Sequence, residues 1–120
     1  MTRRLSFTKY EHEVLPDFRK KINRAESTED VKKFFAYTAK ALFENVFQGK
    51  MDLEHEDFFL MPDCHPHCSF SERLSSHEDF KSMWNGSDLP QVVHRLAKSA
   101  MGRYKHLEKH PEKTEAKIRV

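Results

Sequence analysis

Glycine and proline are scarce in this sequence of 120 residues, which has three glycines and five prolines. So few turn-forming residues argue against a β-sandwich or barrel, and equally against an intrinsically disordered chain. Three isolated glycines also cannot build a glycine-rich phosphate loop. No stretch approaches the roughly 20 apolar residues of a membrane-spanning helix, and no apolar run follows the basic start as a secretory signal requires. A cytoplasmic protein without a membrane partner is therefore expected.

Aromatic residues are plentiful, and most of them recur at helical spacing. The clearest pattern predicts a helix over about residues 28–48, with Ser27 as its N-cap and Gly49 as its C-terminal stop. Phe34 and Phe35 are expected on its buried face. These aromatic side chains are interpreted as core residues and not as a cofactor site.

A second long apolar stripe predicts a helix over about residues 89–110, with Asp88 as its N-cap. Near the N-terminus, residues 7–24 are predicted to be helical with a break near Pro16, because proline lacks the N–H that continues the hydrogen-bond ladder. Short helices are expected in the middle of the chain, at about residues 52–61, 69–74 and 76–85.

The fold class predicted from these segments is all-α. We expect a small bundle of four to five helices with an irregular Cys/His loop in the middle, because no strand-like run alternates with the helices. Residues 1–110 are expected to form a single helical domain. Residues 111–120 alternate charged and small side chains, which predicts a disordered charged tail.

Charge is distributed unevenly along the chain, although the net charge is only +2. Residues 1–25 contain seven Lys and Arg against three Asp and Glu, and residues 89–120 contain eight against three. Residues 26–88 contain six against thirteen. Either oppositely charged elements pack side by side, or the ends form a basic surface for nucleic acid or an acidic protein. The candidate surface residues lie in the C-terminal helix: Arg95, Lys98, Lys105 and Lys109.

Both cysteines and two of the eight histidines fall within the segment 64–68. Thiolate and imidazole are the preferred ligands of zinc, so the cluster predicts a transition-metal site with zinc as the expected cofactor. A structural zinc ion needs four ligands, and neighbouring residues rarely bind the same ion. The predicted ligands from the loop are Cys64, Cys68 and either His65 or His67, and His55 or His77 completes the set of four.

Two other interpretations of the loop stay open. A reversible disulfide between Cys64 and Cys68 would make a thiol redox switch, although thioredoxin-like proteins have two residues between their cysteines and this chain has three. The loop can also be purely structural, with both cysteines acting as small hydrophobic residues.

The sequence contains no nucleophile elbow and no di-iron motif, so it gives no support for an enzyme. The predicted function is that of a small non-enzymatic metal-binding protein with a structural or interaction role. The alternative is a metal-free helical module that binds nucleic acid or an acidic protein through its basic C-terminal helix. The partner stays unknown, and a homo-oligomer is compatible with the sequence.

Overall fold

The computed structural model describes residues 6–63 and 67–109. Within these ranges the chain forms five α-helices, one 3-10 turn and two short strands, in this order: α1 (Thr8–Arg24), α2 (Thr28–Phe47), the 3-10 turn (His55–Asp57), β1 (Phe58–Leu60), β2 (Cys68–Phe70), α3 (Glu72–Ser75), α4 (Glu78–Asn85) and α5 (Leu89–Lys109). The prediction of a mostly helical protein is confirmed. The predicted tail over 111–120 lies outside the described residues.

The three long helices pack on one another and enclose the main core. A short connection reverses the chain between α1 and α2, whereas α5 runs parallel to α1. The parallel direction follows from two contacts: the Asp88 carboxylate meets Phe7 just before α1 begins, and Arg103 Nη2 donates to the Ala25 carbonyl just after it ends, at 2.8 Å. Buried residues from all three helices belong to one continuous hydrophobic cluster.

The helix α2 agrees closely with the prediction. The Ser27 hydroxyl accepts a hydrogen bond from the Asp30 N–H at 3.2 Å, as expected of an N-cap. At the other end Gln48 and Gly49 both have positive φ, which ends the helix with left-handed backbone. Phe35 is fully buried as expected, but Phe34 is only half-buried.

The predicted break near Pro16 is wrong, because α1 continues through it. Pro16 is exposed, and so is His12, whose carbonyl loses the hydrogen bond that a residue with an N–H would give it. Water can hydrate this carbonyl. The helix stays continuous because Phe18 and Ile22, beyond the proline, are buried in the same core as Phe7.

A small β-hairpin occupies part of the region predicted to be an irregular loop, which corrects the all-α prediction. Phe58 pairs with Phe70 and Leu60 with Cys68 in antiparallel register. The helix predicted over 52–61 is therefore wrong, and only a 3-10 turn forms there. Phe58 and Leu60 are buried while Phe59 is exposed, which is the alternation of a strand. The sequence does not show this alternation, because Phe58, Phe59 and Leu60 are all apolar.

Among the described residues, no helix combines the length and the apolar composition that crossing a membrane would require.

Candidate functional site

A cleft with a volume of about 790 Å³ lies between α1 and α5. Because the two helices run parallel, residues from their first halves face each other across it. Both walls carry cationic side chains, and Leu15 supplies an apolar part of the lining. We call this cleft the basic groove; its lining residues are Thr8, Glu11, His12, Leu15, Arg19, Arg95, Lys98 and Ser99.

A bidentate ion pair crosses the basic groove. Arg95 donates from Nε to Glu11 Oε2 at 2.8 Å and from Nη2 to Glu11 Oε1 at 2.7 Å. Glu11 is only 4% exposed, whereas the Arg95 side chain is 51% exposed. The hydrogen bonds from Arg95 to Glu11 raise the pKa of Arg95 above its ordinary value, although burial opposes this. The pair therefore neutralises a buried carboxylate and fixes the guanidinium in one orientation.

Asp88 fixes the first residues of α1, next to the groove residue Thr8. Its carboxylate accepts hydrogen bonds from the Phe7 N–H at 2.7 Å, from the Ser6 hydroxyl at 2.8 Å and from the Thr8 hydroxyl at 3.1 Å. Burial raises the pKa of Asp88, but these hydrogen bonds outweigh it and leave the pKa below its ordinary value. Asp88 does occupy the N-cap position of α5, since its carbonyl accepts the Val92 N–H at 3.1 Å. Its carboxylate turns to the start of α1, and the Ser87 hydroxyl accepts from the Leu89 N–H at 3.1 Å.

Two cations in the groove have no carboxylate partner in the described part of the chain. Arg19 on α1 and Lys98 on α5 take part in none of the ion pairs or side-chain hydrogen bonds found in residues 6–63 and 67–109. The predicted surface residues Lys105 and Lys109 are exposed further along α5 and are likewise unpaired within those ranges. Helical spacing puts four cationic residues on one face of α5. We call it the α5 basic face; its residues are Arg95, Lys98, Lys105 and Lys109.

The structure bears only partly on the predicted metal ligands. Cys64 and His65 lie outside the described residues. Cys68 is half-buried in β2, and burial raises the pKa of its thiol to about 11, so the thiol is protonated at neutral pH. His67 has a positive φ of 73°, and its Nδ1 lies 3.2 Å from the Met61 carbonyl oxygen.

The two candidate distant ligands have local roles. The Nδ1 atom of His77 accepts the Asp79 N–H at 3.2 Å and so caps α4. The ring of His55 lies edge-on to Tyr37, with centroids 5.2 Å apart. No group of three or more His, Cys, Asp or Glu side chains is placed to hold a metal within the described part of the chain. With Cys64 and His65 outside it, the zinc site stays a prediction.

Comparison with known proteins gives no relative. No family model, no curated protein and no solved structure matches the chain. The argument for function therefore depends on the site alone.

Sequence reasoning identified Arg95 and Lys98 but missed the opposite wall of the groove. Glu11 did carry a usable signal, since it occupies a place on the apolar stripe of α1 between Phe7 and Phe18. An acidic residue on such a stripe is rarely buried without a partner, so a cation was to be expected beside it. Nothing in the local pattern of Arg19 distinguishes it from the other surface cations of α1.

Proposed function

We propose that the protein is a non-enzymatic binding module that recognises an acidic segment of a partner protein in the basic groove. The observation that carries this proposal is that Arg19 and Lys98, on two different helices, face one groove without carboxylate partners in the described residues. Unpaired cations on both walls favour an anionic ligand from outside.

The shape of the site favours an acidic peptide over nucleic acid. The groove is concave and includes the apolar side chain of Leu15, which suits a peptide that buries an aliphatic side chain between its carboxylates. Nucleic-acid binding domains usually carry a much larger excess of positive charge than the +2 of this chain. The α5 basic face extends about 21 Å from Arg95 to Lys109 at 1.5 Å per residue, which allows several further carboxylates to be contacted.

The test measures binding of a fluorescently labelled peptide rich in Glu and Leu by anisotropy. The double variant Arg19→Glu and Lys98→Glu is expected to weaken binding at least about tenfold, since each change replaces attraction by repulsion. The matched control is Lys33→Glu with Lys81→Glu, which makes the same charge change at exposed positions on α2 and α4. Equal losses in the two double variants would show general charge attraction and would contradict a specific groove.

A labelled DNA duplex is the second ligand in the same assay. If the duplex binds more tightly than the peptide, and its affinity falls steeply with salt, the partner is nucleic acid and the proposal is wrong. Peptide binding that depends on the groove and exceeds duplex binding at physiological salt supports the proposal.

A further inference from the structure

The ion pair with Glu11 leaves much of the Arg95 guanidinium available. A guanidinium has five N–H groups, and Glu11 takes one from Nε and one from Nη2. Nη1 makes no hydrogen bond within the described residues, and half of the side chain is exposed to the groove. The edge formed by Nη1 and the second N–H of Nη2 can therefore receive another oxyanion while Glu11 stays bound.

Other donors surround this edge. Lys98 and Ser99 lie three and four residues after Arg95 on α5, so they share its side of the helix and line the same groove. Arg19 approaches from α1 on the opposite wall. The lining of the groove thus includes two guanidinium groups, an ammonium and a hydroxyl as donors for an anion.

A carboxylate is a poor match for so many donors, because it has one charge and two oxygens. A phosphomonoester carries a charge of about −1.5 to −2 at neutral pH and three acceptor oxygens. It can contact the Arg95 edge with two oxygens and turn the third toward Lys98 or Arg19. Oriented arginine donors with a nearby lysine are the general means by which proteins hold phosphate.

We infer that the basic groove binds a phosphorylated serine or threonine within an acidic peptide segment, with Arg95, Lys98 and Arg19 holding the phosphate. This inference rests on the proposed function, and it adds the chemical class of the central group. Glu11 is a positioning residue in this arrangement, since it orients Arg95 and leaves its outer edge free for the ligand.

The experiment compares three labelled acidic peptides that differ only in one central residue: phosphoserine, glutamate or serine. Binding to the full chain is measured by anisotropy, and inorganic phosphate and glycerol phosphate are tested as competitors. We expect the phosphoserine peptide to bind about tenfold more tightly than the glutamate peptide, as one additional charge-assisted contact would give. The two small phosphates should compete only at much higher concentration.

Three variants test which side chains cause the preference for phosphoserine over glutamate. Lys98→Gln and Arg19→Gln should each reduce the ratio between the phosphoserine and glutamate affinities, and neither removes a partner of Glu11. Arg95→Lys keeps a cation for Glu11 but lacks the second donor edge, so it should abolish the preference while glutamate-peptide binding persists. Lys105→Gln is the control, because it removes the same charge from the α5 basic face outside the groove.

The outcomes separate this inference from the function on which it rests. Equal affinity for the phosphoserine and glutamate peptides overturns the phosphate inference and leaves the acidic-peptide module intact. No binding of any of the three peptides overturns both. If glycerol phosphate binds as tightly as the phosphoserine peptide, the peptide context contributes nothing and the phosphopeptide assignment is wrong.

Discussion

The carboxylate of Glu11 is buried on the face of α1 that otherwise carries apolar side chains, and Arg95 is its partner. Removing one member of such a pair leaves an uncompensated charge, whereas removing both leaves an apolar contact. The pair therefore contributes more to the choice of helix neighbours than to net stability, because an apolar pair could fill the same space.

A double-mutant cycle tests this view of Glu11 and Arg95. We expect Arg95→Met to lower the free energy of unfolding by about 2 kcal/mol, less than for a fully buried pair because the arginine is half exposed. The double variant Glu11→Leu with Arg95→Met should recover most of that loss. Urea denaturation measures all four proteins. Additive losses in the double variant would show that the two side chains do not interact in solution.

Asp57 is the second buried carboxylate, and it links the two ends of the hairpin region. Burial alone raises the pKa of Asp57, but hydrogen bonds from the Ser71 hydroxyl, the Glu54 N–H and Arg73 outweigh it, so the pKa lies below its ordinary 3.8. The carboxylate thus stabilises the folded state fully above that ordinary value. Its contribution is lost as the pH falls through the lowered, folded-state pKa.

The Asp57→Asn variant should show this dependence as a difference from the wild type. At neutral pH we expect its free energy of unfolding to be about 2 kcal/mol lower than that of the wild type, because hydrogen bonds to a charged group are replaced by weaker ones. That deficit should shrink as the pH falls below about 4 and through the lowered pKa of Asp57, because the wild-type carboxylate becomes protonated. Asp52→Asn, an exposed position in the same region, serves as control. A deficit that is constant with pH would contradict the assignment.

At the scale of elements, the start of α1 depends on Asp88, which lies 80 residues after Thr8 in the sequence. The N-cap residue of α1 is Phe7, whose side chain cannot accept a hydrogen bond. The Asp88 carboxylate instead accepts the N–H of Phe7 itself and the hydroxyl of Thr8, the first residue of the helix. The contact also fixes the start of α5 against α1. The alignment of the two walls of the basic groove therefore depends on Asp88.

We expect Asp88→Ala to destabilise the protein by about 1–2 kcal/mol, because hydrogen bonds from Phe7 and Thr8 to a charged carboxylate are lost. Amide hydrogen exchange should become faster in the first turn of α1 and stay unchanged in the middle of α2. Asp17→Ala is the control, since Asp17 forms only an exposed ion pair with Lys21 at 3.1 Å. Uniform loss of protection in both helices would show that Asp88 has no local role.

The hairpin is the element in which the zinc prediction can be decided. If zinc binds there, protein expressed without a histidine tag should contain about one equivalent of the metal, and both thiols should resist alkylation at neutral pH. Chelation, Cys64→Ser and Cys68→Ser should then each lower the melting temperature. Metal-free protein with two alkylatable thiols would contradict the zinc hypothesis. Reversible loss of both thiols on treatment with an oxidant would favour the redox switch.

For the molecule as a whole, Phe43 joins the long helices to the hairpin and α4. Its ring is fully buried, and the centroids of Phe58, Phe70 and Phe80 lie 5.0, 5.7 and 6.0 Å from its own. These aromatic rings make one core out of segments that are far apart in sequence. The hairpin would have too little apolar surface to fold alone.

Phe43→Ala should therefore cost about 4 kcal/mol, because the cavity opens at the junction of all these elements. Unfolding should stay a single transition followed equally by tryptophan fluorescence and by circular dichroism, since Trp84 belongs to the same aromatic cluster. Phe34→Ala removes a ring of the same size at a half-buried position and should cost clearly less. A comparable loss at both positions would mean that the burial described for α2 is wrong.

Local sequence signals predicted most of the helical structure because helices depend on nearby residues. Ser27 as N-cap and Gly49 as C-terminal stop mark the ends of α2, and the apolar stripe from Val92 to Leu107 marks α5. The same reasoning failed at Phe58–Leu60, where three consecutive apolar residues fit either a helix or a strand. Their pairing with Cys68–Phe70 decided the structure, and pairing is not a local property.

The sequence by itself determined α2, α5 with its cationic face, and the helical character of residues 7–24, since all follow from a period of 3.6 residues. It did not determine that α1 continues through Pro16. Only the tertiary structure decided that α1 lies parallel to α5, that the Asp88 carboxylate binds the start of α1 and that Arg19 and Lys98 line one groove. These relations join residues about 80 positions apart, as the Asp88–Thr8 contact illustrates. They arise when the buried faces of the helices pack together, and that packing orders surface residues whose own spacing encodes no partner.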